Sequence, residues 1–138
     1  MTLHWSNDAD TLYMALEAQT TGWVSVGFKP SSRMGGADYV LGFVQDGQVR
    51  MHDAYGDAPI GSHPNDEELG GTDDLGVFGG AEAGGVTTLE FSKALDSGDK
   101  YDQPLAPGET VALIVAVGTG DSFAARHSAR GAGSITLD

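Results

Sequence analysis

Short runs of alternating apolar and polar residues, separated by glycine-containing turns, continue through the chain and limit it to an all-β fold. The clearest run is 11–18, in which every second residue is apolar: Leu12, Met14, Leu16 and Ala18. No long segment shows the 3.6-residue period of an amphipathic helix. Short strands with turn signals between them are typical of a sandwich or a barrel. We therefore predict an immunoglobulin-like antiparallel β-sandwich of about eight to ten strands.

The same pattern predicts an order of strands and loops. Strands are expected at the N-terminus and at 11–18, 22–28, 38–45, 48–55, 74–82, 85–92, 110–117 and 134–137. The pair Asp46-Gly47 is typical of a type I′ turn between two strands of a hairpin. Residues 56–72 and 118–133 are expected to be long loops. No linker or internal repeat divides the 138 residues, so we predict a single domain over 1–138.

The chain is strongly acidic and contains no cysteine. With 20 acidic and 7 basic residues, its formal net charge is −13. Such a charge repels nucleic acid and disfavours an anionic membrane surface, so neither is expected as a partner. No apolar run reaches the length of a membrane-spanning helix, and no direct membrane insertion is expected. The absence of cysteine excludes disulfides, thiolate metal sites and haem attached covalently through Cys-x-x-Cys-His.

Two loops of small residues carry the candidate ligands of this chain. One contains the sequence RMGGAD at 33–38, and the other contains RHSAR at 126–130. Their candidate donors are the sulfur of Met34 and the imidazole of His127, a pair that holds haem iron from both sides in some cytochromes. Each residue also has a simpler interpretation, because methionine usually fills a gap in a core and a lone histidine is usually solvated.

Three of the four arginines lie close to these two residues: Arg33, Arg126 and Arg130. Arginine is the natural partner of a carboxylate, and haem carries two propionates. The two loops therefore suggest one haem site built from segments far apart in sequence. The alternative is that these arginines only balance the excess of surface acid.

Other residues offer weaker sites. His63 is the best substitute ligand because it lies in the loop at 56–72, whereas His4 lies at the fraying start and His52 is expected on a strand as a surface or hydrogen-bonded residue. The acidic residues Asp66, Glu67, Glu68, Asp73 and Asp74 could bind calcium, which prefers several oxygen ligands, but their spacing is not that of an EF-hand. A solvated acidic loop is expected instead. No nucleophile or zinc-hydrolase motif is present in the sequence.

Aromatic residues supply a second functional alternative. If they were exposed, their rings could stack on sugars; the candidates are Trp5, Trp23, Tyr39, Tyr55 and Tyr101. Most aromatic side chains in alternating strands belong to the core instead.

Two blocks of sequence resemble the signature of DOMON domains. The first is GWVSVGF at 22–28, and the second is MGGAD at 34–38. The tryptophan before the first alternating strand, the Asp46-Gly47 hairpin and the closing segment from His127 also fit. Within that family, the chain is most similar to the haem b type, as in the cytochrome domain of cellobiose dehydrogenase and related bacterial cytochromes.

The resemblance implies a β-sandwich in which a methionine after the third strand and a histidine in the last long loop ligate iron. Those positions correspond to Met34 and His127. It also implies an electron carrier rather than an enzyme, with a redox partner protein or a fused redox domain, in an extracellular or periplasmic location. The alternative within the same family is a haem-free carbohydrate-binding module.

Overall fold

A computed structural model describes residues 1–61 and 63–138. In this part of the chain nine strands and one helical turn follow one another: β1 (Thr2–Asn7), β2 (Thr11–Ala18), β3 (Val24–Phe28), β4 (Asp38–Gln45), β5 (Gln48–Tyr55), α1 (Asp66–Leu69), β6 (Leu75–Ala83), β7 (Val86–Ala94), β8 (Thr110–Val117) and β9 (Ala129–Thr136). They form two antiparallel sheets, with strand orders β1-β2-β7-β6 and β5-β4-β3-β8-β9. The predicted β-sandwich is confirmed.

The main core lies between the two sheets. The alternating residues of β2 point into it, as the sequence predicted, and Leu12 and Leu16 are fully buried there. From the other sheet, β4 contributes Val40 and Val44 to the same core. The period of two in both strands therefore decides which side chains fill the interior.

A second apolar cluster covers the outer face of the five-stranded sheet. It consists of buried Ala37, Tyr39, Leu41 and Ala54, with half-buried Met34, Ile114 and Phe123 packed against them. We call this set the outer-face cluster. In a two-sheet sandwich an outer face is normally polar, so an apolar cluster there indicates a binding surface or a covering loop.

Two features of the sequence shape this sheet. Asp46 and Gly47 have φ values of 51° and 73°, which confirms the type I′ turn between β4 and β5. Gly27 on β3 leaves room for the outer-face cluster, because a Cβ atom there would lie 2.6 Å from Cε1 of Tyr39. The second glycine of GWVSVGF, Gly27, is thus required by close packing.

Two predictions about loops were wrong in part. The loop expected at 118–133 ends earlier, because β9 begins at Ala129 and pairs with β8 through residues such as Val117. Arg130 consequently lies on a strand rather than in a loop. Within the loop expected at 56–72, residues Asp66–Leu69 form one helical turn. No helix in the described ranges is long and apolar enough to cross a membrane.

Candidate functional site

The loop between β3 and β4 holds Met34 against the outer face of the sheet. Its backbone is anchored on both sides, because Met34 N–H donates to the carbonyl of Pro59 at 3.3 Å and Gly36 N–H donates to that of Gly56 at 2.8 Å. Gly36 has a φ of 75°, a conformation that favours glycine. These contacts leave the Met34 side chain half-buried and packed against the outer-face cluster.

The loop between β8 and β9 reaches the same face through Phe123. The Phe123 ring stacks on the imidazole of His52, with 3.8 Å between centroids, and tilts against Phe43 at 4.8 Å. The loop closes where Ser128 N–H donates to the carbonyl of Val117 at 2.8 Å. Residues 34 and 123 therefore contact one apolar cluster although they are far apart in sequence.

The remaining predicted site residues lie in solvent. His127 and Arg126 are exposed at the end of the loop that carries Phe123, Arg130 is exposed on β9, and Arg33 is exposed beside Met34. None of these arginines forms an ion pair with any residue in 1–61 or 63–138. The structure thus brings the two predicted loops to one face, with the Met34 side chain on the cluster and the His127 side chain in solvent. The assignment of all five residues to a ligand site stays a prediction.

Two further histidines lie on this face. His52 is on β5 opposite Leu41, and His63 lies with its ring centroid 5.6 Å from that of Tyr39. Burial lowers the pKa of His63, which favours the neutral imidazole that binds metals. His52 was not predicted as a substitute ligand. The alternation along β5, in which Met51 and Asp53 point inward, places His52 between them on the outer face.

Burial also affects Tyr39, the largest side chain at the centre of the outer-face cluster. Its hydroxyl has no hydrogen-bond partner among the described residues, and desolvation raises its pKa to about 12. A buried hydroxyl without a partner could form a hydrogen bond with a ligand that displaces the Phe123 loop.

A group of buried charges lies behind the Met34 loop, inside the sandwich. Lys93 Nζ is 2.5 Å from Oδ2 of Asp38 and 3.2 Å from Oδ1 of Asp102. Gln103 joins this group to the Met34 loop, because its backbone N–H donates to Asp38 and its side-chain amide donates to the carbonyl of Gly36. We call Lys93, Asp38, Asp53, Asp66 and Asp102 the buried charge cluster.

Sequence reasoning did not identify this cluster. Its signal was the period of two along β7, in which Leu89 and Phe91 point inward and Lys93 follows on the same face. The expectation of a solvated acidic loop holds for Glu67 and Glu68, which are exposed, but not for Asp66, which is 1% exposed. The one-turn helix α1 places that carboxylate inside.

Together these features define a class: a β-sandwich domain with an apolar outer face, against which the loops of Met34 and Phe123 pack. Comparison with known families agrees, since the DOMON domain family matches residues 1–118. The chain therefore belongs to the DOMON family. Met34 and Arg33 lie within the matched segment, whereas Arg126, His127 and Arg130 follow it.

Similar proteins fall into two groups. The chain is 31% identical to DBH-like monooxygenase protein 1 of Mus musculus over 81% of its length, and 28% identical to MOXD1 homolog 1 of Drosophila melanogaster over 85%. It spans only 17% of each of these relatives. The chain is also similar to the crystal structure of the cytochrome b domain of pyranose dehydrogenase from Coprinopsis cinerea, with a TM-score of 0.67. The match covers 97% of this chain and 74% of that one. Sequence identity to that domain is 12%, so this match shows the fold alone.

Proposed function

We propose that this DOMON domain binds haem b on the outer face of its five-stranded sheet and carries electrons. The observation that supports this proposal best is that Met34 and Phe123, from two distant loops, pack on one apolar cluster. A flat apolar ligand would find a matching surface there. The likeness in fold to a cytochrome b domain is consistent with such a role.

Met34 and His127 are the residues that would hold the haem iron. Met34 already lies on the cluster, and its loop is fixed by hydrogen bonds to the segment that follows β5. His127 lies on the loop that carries Phe123, and a shift of that loop would bring the imidazole from solvent towards the face. When bound, haem supplies one-electron chemistry, and methionine as a ligand raises its reduction potential.

The residues around the face fit the rest of such a ligand. The apolar side chains of the outer-face cluster would exclude water from the macrocycle. Arg33, Arg126 and Arg130 are exposed and have no ion-pair partner among the described residues, so they are available to two propionates. If Met34 and His127 both held the iron, no position would be left for a substrate, so we propose an electron carrier rather than an enzyme.

The partner is proposed to be a redox protein or a redox domain of the same polypeptide. Two observations support this choice. The relatives named for monooxygenases are several times longer than this chain, and the structural neighbour is a domain of a dehydrogenase by its name. An extracellular or periplasmic location belongs to the same proposal and rests on the family resemblance.

Haemin titration of the purified protein tests the proposal. We expect one equivalent to give a sharp Soret band and, after reduction, the narrow α and β bands of low-spin haem. His127→Ala should abolish the low-spin spectrum, whereas Met34→Leu should retain haem with a lower potential, since histidine is the stronger ligand. His4→Ala, on the remote edge strand β1, is the matched control and should behave like the parent.

Variants of the two histidines on the outer face separate the ligand assignment from the haem proposal. If His127→Ala keeps the parent spectrum and His63→Ala or His52→Ala loses it, the ligand assignment is wrong although the haem proposal survives. A protein that stays colourless with haemin would reject the proposal itself.

The second candidate function is a haem-free carbohydrate-binding module. It is favoured by the covering of the face by Phe123 and by relatives named for monooxygenases rather than cytochromes. Of the aromatic residues predicted for this role, Trp23 and Tyr39 are buried, whereas Tyr55 and Tyr101 lie together with ring centroids 5.3 Å apart and Trp5 is exposed on β1. Retention on a glycan affinity gel by a protein that does not bind haemin would support it.

A further inference from the structure

The four arginines of this acidic chain lie on or beside the outer face of the five-stranded sheet. Two are exposed in the loops that reach the outer-face cluster, Arg33 before β4 and Arg126 before β9. The other two are exposed on the edge strands of that sheet, Arg50 on β5 and Arg130 on β9. The sequence suggested a role for three of them, and the fold brings the fourth, Arg50, to the same face.

Backbone pairing shows which way the two strand arginines point. Arg130 is the partner of Ala116 on β8. Ala116 is in turn the partner of Ser25, and Ser25 is the partner of Leu41 in the outer-face cluster. Because residues opposite each other in a ladder share a face, Arg130 points to the side of that cluster. The register of β5 with β4 places Arg50 on the same side, at the other edge of the sheet.

These arginines are not neutralised by the chain itself. None of them forms an ion pair within the part of the chain that the structure describes. By contrast, Lys29 lies 2.7 Å from a carboxylate oxygen of Glu109, and Lys93 pairs with two buried aspartates. Among the described residues, the lysines and arginines left without an ion pair are therefore the four arginines and Lys100.

The outer face of the five-stranded sheet also carries no carboxylate on the strands described. The acidic residues of these five strands are Asp38 and Asp53, and both point inward. The outer face of the other sheet differs, because it exposes Glu17 and Glu90. In a chain with 20 acidic residues and a net charge of −13, the arginine-bearing face is thus a local region of positive charge.

One haem would not use all of this positive charge. Its two propionates leave the macrocycle side by side, whereas Arg50 and Arg130 lie on opposite edges of the sheet. Four strand spacings separate β5 from β9, which amounts to roughly 19 Å. At least one of these two arginines would therefore remain without a propionate.

We propose that the outer face docks a bounded acidic and partly apolar surface of a partner protein. Arginines around an apolar centre are typical of protein interfaces, in which arginine and aromatic residues are enriched. Ile60 extends the apolar area, since it is 68% exposed and follows Pro59, whose carbonyl accepts the hydrogen bond from Met34. That this partner is the redox partner rests on the proposed function, whereas the docking surface itself requires no haem.

The range of electrostatic interactions favours a protein over a larger polyanion. At physiological salt, charges act over only about 8 Å, so a bounded acidic patch interacts with the arginines rather than with the net charge of the whole chain. A membrane or a long anionic polysaccharide extends beyond this face and meets the acidic remainder of the surface. Repulsion there opposes binding of both.

An NMR titration of the isotope-labelled apoprotein tests the inference. The probe is a synthetic amphipathic helical peptide with leucines on one face and glutamates on both sides of them, and the reference peptide has lysine in place of each glutamate. We expect the glutamate peptide to shift the amide signals of the outer face in a saturable way, with a Kd that rises with salt. The lysine peptide should leave these signals unchanged, although the net charge of the chain favours it.

Arginine variants connect this binding to the proposed surface. Arg50→Gln and Arg130→Gln should each raise the Kd of the glutamate peptide about threefold, and the double variant about tenfold. Lys100→Gln is the matched control, because it removes an exposed positive charge from the loop before β8. It should bind the peptide like the parent.

Several outcomes would overturn the proposal. They are absence of binding by the glutamate peptide, signal shifts confined to other surfaces, and an unchanged Kd in the double variant. Binding of oligogalacturonate or of phosphatidylserine vesicles in place of the peptide would also overturn it, since the face would then belong to a carbohydrate or a lipid. Because the titration uses apoprotein, its result does not depend on whether the protein binds haemin.

Discussion

The ammonium group of Lys93 lies among buried carboxylates, and the residue is 2% exposed. Desolvation lowers its pKa, but the negative charges of Asp38, Asp53 and Asp102 outweigh that effect and raise it. Lys93 therefore remains charged at all ordinary pH values. Removing one partner from such a group is costly because the other charges stay buried without compensation.

Lys93→Met should accordingly lower the free energy of unfolding by about 3–5 kcal/mol. Lys100→Met is the matched control: its ammonium is exposed, 4.6 Å from the Tyr101 ring centroid, and its loss should leave stability close to that of the parent. Urea denaturation of both variants measures the difference. Equal stability of Lys93→Met and the parent would mean that the carboxylates are neutralised without the lysine.

At the scale of elements, side-chain alternation made the strands predictable only where one face is apolar. In β2 the buried residues Leu12 and Leu16 alternate with exposed ones, so the strand and its orientation followed from sequence. In β9 the segment from Ala129 is mostly small and exposed and has no such pattern. Its strand conformation depends on backbone pairing with β8, a long-range contact that local sequence does not encode.

The residues of the candidate site also differ in whether local sequence is enough to predict them. The Met34 loop could be found from the local sequence MGGAD, but the approach of Phe123 to the same face depends on how the sheet brings β8 beside β3. The burial of Asp66 likewise required the packing of α1 against β5. Residues whose role depends on two distant elements are the ones that sequence reasoning missed.

Gly27 connects β3 to the outer-face cluster, and its replacement tests that packing. A Cβ atom at this position would lie 2.6 Å from Tyr39 and 3.0 Å from Cγ1 of Ile114. Gly27→Ala should therefore lower the free energy of unfolding by about 1–3 kcal/mol, since the ring must move. Gly133→Ala on β9 meets no atom within 4 Å and should be neutral or slightly stabilising. Thermal unfolding of the two variants compares them, and equal Tm values would contradict the packing argument.

For the whole molecule, the buried aspartates link stability to pH. Burial raises the pKa of Asp53 to about 8 and that of Asp66 to about 7, whereas both groups titrate near 3.8 when unfolded. The folded state therefore holds protons that the unfolded chain has already released. Their contribution to stability is complete below the unfolded pKa and is lost as pH rises through the folded values.

The free energy of unfolding should thus fall between about pH 5 and about pH 8, by about 1.4 kcal/mol per pH unit for each of the two carboxyls that holds its proton only in the folded state. Carboxylates whose pKa is lowered by hydrogen bonds, such as Asp8 and Asp99, act in the opposite direction but only below their ordinary pKa of 3.8. Asp53→Asn should flatten the fall because its amide has no proton to lose in this range. Denaturation in urea at several pH values gives the slope, and a stability that rises across this interval would contradict the argument.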